Sequence, residues 1–173
     1  MKALAALVIM TALSACENKA PVVNSGTTDA GHALDRQAIK AGILPDPENS
    51  ELAGRFETRG DFGTDKFCAV KNGTGEFKIG VFTVSGAASK CEGQGIATIN
   101  GDKVRISLQG KGECEFDAQY DGVELRFPAS IASGCATYCT ARANLSGTHY
   151  FMVQNGDEAA RRTLGRDIGK LCG

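Results

Sequence analysis

The stretch Lys103-Val-Arg-Ile-Ser-Leu-Gln-Gly-Lys-Gly-Glu-Cys-Glu-Phe-Asp-Ala-Gln-Tyr-Asp-Gly-Val-Glu-Leu-Arg-Phe-Pro128 decides the fold. Val104, Ile106 and Leu108 alternate with polar residues, as do Cys114, Phe116, Ala118 and Tyr120. A period of two marks strands with one buried face. A three-residue loop, Gly110-Lys-Gly112, sets Leu108 opposite Cys114 and Ile106 opposite Phe116. A two-residue Asp121-Gly122 turn then sets Tyr120 opposite Val123, Ala118 opposite Leu125 and Phe116 opposite Phe127. These registers predict Arg105, Asp117 and Arg126 in one solvent-facing row with opposite charges adjacent.

The same punctuation continues outward. Lys66 to Lys71 and Glu76 to Val84 predict a hairpin over Asn72-Gly-Thr-Gly75, with Val70 opposite Phe77 and Cys68 opposite Ile79. Phe67, Phe82 and Val84 give it a second apolar face that some other part of the chain must cover. Asn100-Gly101 marks a further turn. Pro128 ends the meander, and Ala129 to Ala143 reads as a loop or short helix. Asn144 to Gln154 reads as a returning strand. Asn155, with Glu158 at the third helical position, predicts a capped closing helix along Ala160, Leu164, Ile168 and Leu171. Before the strands, Ala33 to Ala41 predicts a short helix ended by Gly42, Pro45 and Pro47. The expected architecture is mainly β: a small antiparallel up-and-down barrel, or a curved meander sheet, of about eight strands. It carries a short N-terminal and a C-terminal helix and is stapled by disulfides.

The first residues set the compartment. Lys2 precedes an apolar run from Ala3 to Leu13 that is too short to span a bilayer, and Leu13-Ser-Ala-Cys16 follows. These residues resemble a bacterial lipoprotein signal. That resemblance implies cleavage after residue 15, a lipid on Cys16, and, with Glu17 rather than Asp next, delivery to the periplasmic face of the outer membrane. Residues 16–32 are polar and small, a flexible tether, and residues 33–173 form a single β-rich domain. With Cys16 set aside from the seven cysteines, Cys68, Cys91, Cys114, Cys135, Cys139 and Cys172 remain. An even number suits disulfides in an oxidising compartment, and fifteen pairings are open.

The net charge of −1 carries no basic excess for nucleic acid. Only His32 and His149 could add nitrogen to a metal site, and the cysteine spacings lack a paired C-x-x-C, so neither metal nor cofactor is expected. Nucleophile elbows, phosphate loops and zinc-protease motifs are missing from the sequence. Glu113, Glu115 and Asp117 alternate out of the core face and read as a solvated strand. Cys135-Ala-Thr-Tyr-Cys139 is one residue too long for a thioredoxin-type dithiol.

Two further resemblances bear on function. Ser146-Gly-Thr-His-Tyr150 matches the S-G-x-x-Y motif of membrane-bound lysozyme inhibitors, small β-barrel lipoproteins, and Gly156-Asp-Glu-Ala159 resembles another segment of theirs. The match implies that Ser146 and Tyr150, with His149 between them, contact a partner. The six cysteines depart from that family. Leu44-Pro-Asp-Pro47, Phe67-Cys-Ala-Val70, Ala118-Gln-Tyr-Asp-Gly122 and Cys135-x-x-x-Cys139-Thr-Ala-Arg-Ala resemble alphaproteobacterial lipoproteins with no assigned activity. The expected function is a non-catalytic, membrane-anchored binding module for a protein or small ligand. A lysozyme inhibitor and a periplasmic hydrolase are the alternatives. Cys16→Ser is expected to release the protein from membranes with its domain folded. A variant still in the membrane pellet after a high-salt wash would refute the anchor.

Overall fold

The computed structural model describes residues 29–41 and 51–173. The expected signal segment 1–15, Cys16, most of the expected 16–32 tether and Leu44-Pro-Asp-Pro47 lie outside the described residues. A helix α1 (Asp29–Lys40) precedes the strands and starts four residues earlier than its sequence pattern suggests, within the expected tether. Eight antiparallel strands follow: β1 (Gly54–Gly60), β2 (Gly63–Lys71), β3 (Glu76–Val84), β4 (Lys90–Asn100), β5 (Lys103–Gln109), β6 (Cys114–Tyr120), β7 (Glu124–Arg126) and β8 (His149–Asn155). Each pairs with its chain neighbours, and β1 pairs with β8, so the meander closes into a barrel.

An eight-stranded barrel has an interior just wide enough for side chains to fill. Here aromatic rings fill it. Phe56, Phe67, Tyr120 and Tyr150 are fully buried, and Phe116 and Phe127 stack edge to face at 4.7 Å. Val104, Ile106, Leu108 and Leu125 complete the packing. The buried hydroxyls find partners: Tyr150 shares a hydrogen bond with Thr83 Oγ1 at 2.7 Å, and Tyr120 donates to the Gly122 carbonyl at 2.8 Å. Burial pushes both phenols well above their ordinary pKa.

Between β7 and β8 the chain leaves the wall and closes one end with a short 3₁₀ turn, η1 (Ser133–Tyr138). Tyr138 lies over Gly93, where an added Cβ would meet its ring at 2.7 Å. Two disulfides hold this excursion, Cys114–Cys135 to β6 and Cys91–Cys139 to β4. The third, Cys68–Cys172, ties the last residues to the outside of β2. The separations of 104, 48 and 21 residues are long enough for each bridge to remove about 3–5 kcal/mol of denatured-chain entropy.

The β5–β6 register is as read from sequence, with Ile106 opposite Phe116 and Arg105 opposite Asp117. Four other expectations are corrected. In the β2–β3 hairpin Val70 faces Lys78 and Cys68 faces Gly80, a slip of one residue. The Asn72 N–H closes the turn on the Glu76 carbonyl, which turns Phe67 and Ala69 inward and Cys68 and Val70 outward. In β6–β7 Tyr120 faces Leu125, because Asp121 Oδ1 accepts the N–H groups of Val123 and Glu124 and widens the turn. That shift of two residues keeps Leu125 and Phe127 inside. It moves Arg126 opposite Gln119, where it pairs with Glu124 and Asp121 instead of Asp117. Finally, β8 begins only at His149, and the closing helix α2 is Asp157–Arg161. Gly156, without a side-chain cap, starts α2, and the chain beyond Arg162 turns back on itself at Gly165 and Gly169. Leu164 is therefore exposed, while Ala160 and Leu171 are buried.

The barrel predicts an asymmetry among its strand glycines. Gly93→Ala should destabilise by about 1–3 kcal/mol, since the added methyl meets a plugged ring. Gly60→Ala, with its nearest neighbour at 3.9 Å, should be close to neutral. Urea unfolding of the two variants checks the contrast.

Candidate functional site

Alternation along β8 sorts the residues singled out by sequence. His149, Phe151 and Val153 point outward and are exposed, whereas Tyr150 points inward and is wholly buried. Tyr150 packs against Phe67 and Phe127 and presents no surface to a partner, a correction to its assignment as a contact residue. Ser146 is half-buried in the turn that precedes the strand, beside Cys135 and Cys139 in a small depression of about 160 Å³. Ser146 and His149 thus remain at the surface, and Tyr150 belongs to the core.

The outer face around β8 is apolar at its centre. Phe151 is 42% exposed and Val153 49%, with Val123, in the β6–β7 turn beside β8, at 45%. The His149 ring meets the Phe151 ring edge to face at 5.5 Å. Strand pairing places Glu124 on one side of Phe151 and Glu57 on the other, with Arg126 opposite His149. Arg126 hydrogen-bonds Glu124 and holds that carboxylate below its usual range. Across the seam, Arg55 Nε is buried without a hydrogen-bond partner among the described residues and lies 3.7 Å from Glu57 Oε1. An apolar centre with a charged rim is the composition of a recognition surface. Nothing in this face pairs a nucleophile with a base.

A second polar cluster was not legible in the sequence. On the outer side of β4, Glu92 is 2% exposed, and Lys90 Nζ donates to its Oε2 at 3.0 Å. Lys90 also bridges to Asp167. The loop after α2 wraps the Glu92 carboxylate: the N–H groups of Arg166 and Ile168 donate to Oε1 at 2.7 and 3.2 Å, and that of Asp167 donates to Oε2 at 3.0 Å. Burial opposes ionisation of Glu92. The donors from Asp167, Lys90, Ile168 and Arg166 together outweigh it and hold the carboxyl below the usual range. Gly165 is required here, because a Cβ would sit 2.0 Å from Oε1. Such a ring of backbone donors has no side-chain signature, and only the glycine hints at it.

Cys135 and Cys139, four positions apart in sequence, bond to different strands and not to each other, so they form no dithiol pair. Among the described residues no group of His, Cys, Asp and Glu is arranged to hold a metal, and no helix is long and apolar enough to cross a membrane. Comparison with family models, curated proteins and solved structures finds no match for the chain.

The Glu92 cluster carries a pH signature. Glu92→Gln should lower stability at pH 7 by about 2–4 kcal/mol, as loss of a buried, paired charge does. A depressed folded pKa contributes stability that is complete above the unfolded value, about 4.3, and is lost as pH falls through the folded one. The gap between wild type and variant should therefore narrow below about pH 4. Urea titrations at pH 7 and pH 3 test this, and a gap of unchanged size would exclude ionisation as its source.

Proposed function

We propose that the protein is a lipid-anchored envelope protein, attached through Cys16 at the periplasmic face of the outer membrane. It acts as a non-catalytic binding module. The observation that carries this reading is the division of the barrel wall. The inner face is filled by rings and aliphatic groups, with Phe116, Phe127, Leu125 and Ile106 at most 6% exposed. A ligand is therefore met on the outside. There, Val123, Phe151 and Val153 are exposed together within a charged rim, which suits a protein partner offering an apolar segment. Three disulfides agree with an oxidising compartment.

The test is site-specific photo-crosslinking in intact envelopes, with the probe at position 151 or at Thr98, an exposed residue of β4. Position 151 is expected to yield a discrete protein adduct that disappears in Val153→Asp, while position 98 yields none. Equal labelling at both positions, or an adduct insensitive to Val153→Asp, would overturn the surface assignment.

A further inference from the structure

Beyond α2, residues 162–173 form a strap across the outside of β2, β3 and β4. With Ala160 of α2 it covers the second apolar face of the β2–β3 hairpin: Val70, Phe82 and half-buried Val84 cluster with Ala160 and with Leu171 and Cys172 of the strap. Leu171 is fully buried over Gly80, where a Cβ would strike its carbonyl oxygen at 2.2 Å. Two latches of different chemistry secure the strap. One is the Cys68–Cys172 disulfide. The other is the Glu92 carboxylate, gripped by the N–H groups of residues 166 to 168 and backed by Lys90 and Asp167. Lys66 Nζ adds a bond to the Leu164 carbonyl at 2.9 Å, Gln94 Nε2 donates to the Lys170 and Leu171 carbonyls at 3.2 and 2.9 Å, and the Arg166 guanidinium lies over the Phe82 ring.

The two latches are not equivalent. Cys68 is 0% and Cys172 6% exposed, so a reductant reaches the sulfurs only when the strap lifts. The Leu171 N–H bonds the Thr163 carbonyl at 2.9 Å and the Gly165 N–H bonds the Gly169 carbonyl at 2.8 Å, so the strap lifts as one piece and takes residues 166 to 168 off the carboxylate. The other two disulfides join the β7–β8 excursion to β4 and β6 and belong to the interior cluster rather than to the one beneath the strap. We propose that the strap is a redox-opened cover over the Val70–Phe82–Val84 face, and that Glu92 gates its reduction. Opening proceeds by exchange with a dithiol. One thiolate attacks a bridge sulfur and displaces the other cysteine, and the second thiol of the reductant resolves the mixed disulfide. The bridge gains two electrons and two protons, and the dithiol leaves as its own disulfide. This device stands apart from the β8 surface and does not depend on it.

The experiment treats the folded protein with dithiothreitol at neutral pH, quenches with iodoacetamide, and follows each cysteine by peptide mass spectrometry. Glu92→Gln is expected to speed appearance of the Cys68 and Cys172 thiols by about tenfold or more, the weight of one hydrogen-bonded charge. The other four cysteines should keep their wild-type rates, and an apolar dye should bind once the pair is reduced. Gly165→Ala, which pushes on the carboxylate without removing its charge, should act in the same direction. Equal rates in wild type and both variants would show that Glu92 is no gate. Acceleration of all three bridges together, or a variant that fails to fold, would show that the strap is part of the cooperative core rather than a cover.

Discussion

Strands β1 and β8 come from opposite ends of the domain, and their pairing, Phe56 opposite Met152 and Glu57 opposite Phe151, turns a meander into a ring. A sheet left open at that seam would expose two rows of unpaired backbone groups. Closure satisfies both rows, but it also encloses a volume that must be filled. The inward residues of β1, β2, β6 and β8, with Phe127 just after β7, do so with rings: Phe56 contacts Phe67 and Tyr120, and Phe67 contacts Tyr150 and Phe127. The seam and the aromatic cluster therefore support each other. Neither is stable alone, since long-range pairing is repaid only by the core it creates.

Closure also decides what the rest of the chain must do. One end of the ring needs a plug, and the excursion between β7 and β8 supplies Tyr138, Leu145 and Cys135. A loop of that length with little regular structure would be costly to order, and two disulfides meet the cost by pinning it to β4 and β6. With the inside full, chemistry is left to the outer wall, which is divided. The side at β8 keeps Phe151, Val153 and Val123 open to solvent. The side at β2 and β3 is just as apolar at Val70 and Phe82 and is covered by the strap. The contrast between one exposed and one covered apolar wall is the basis for both functional inferences.

The burial of Glu92 shows how the cover is held without a long helix. A carboxylate removed from water is stable only when its lone pairs are occupied. Lys90 and three successive N–H groups occupy them, which in turn fixes the backbone of residues 165 to 168. The segment could not continue α2 and still offer those donors, because N–H groups in a helix interior are spent on the preceding turn. The helical spacing of Ala160, Leu164, Ile168 and Leu171 thus loses to one buried charge.

Period-two alternation, short Gly-containing turns and an even set of cysteines sufficed to define a disulfide-stapled β-meander. These are local signals, set by strand geometry and turn sterics. The β5–β6 register followed too, because its three-residue glycine loop leaves one way for Leu108 to meet Cys114. The other registers turned on side-chain and backbone bonds that alternation does not encode, such as Asp121 widening its turn. The disulfide partners were open in sequence because pairing depends on which walls come close in three dimensions. The fate of Tyr150 was open for the same reason: its motif suggested a contact, and the direction of its side chain in a closed ring made it core. Sequence by itself determined a β-meander and the cysteines available to staple it. Tertiary structure alone decided closure, the three bridges, the Glu92 latch and which apolar face stays exposed, because each depends on contacts between residues far apart in the chain.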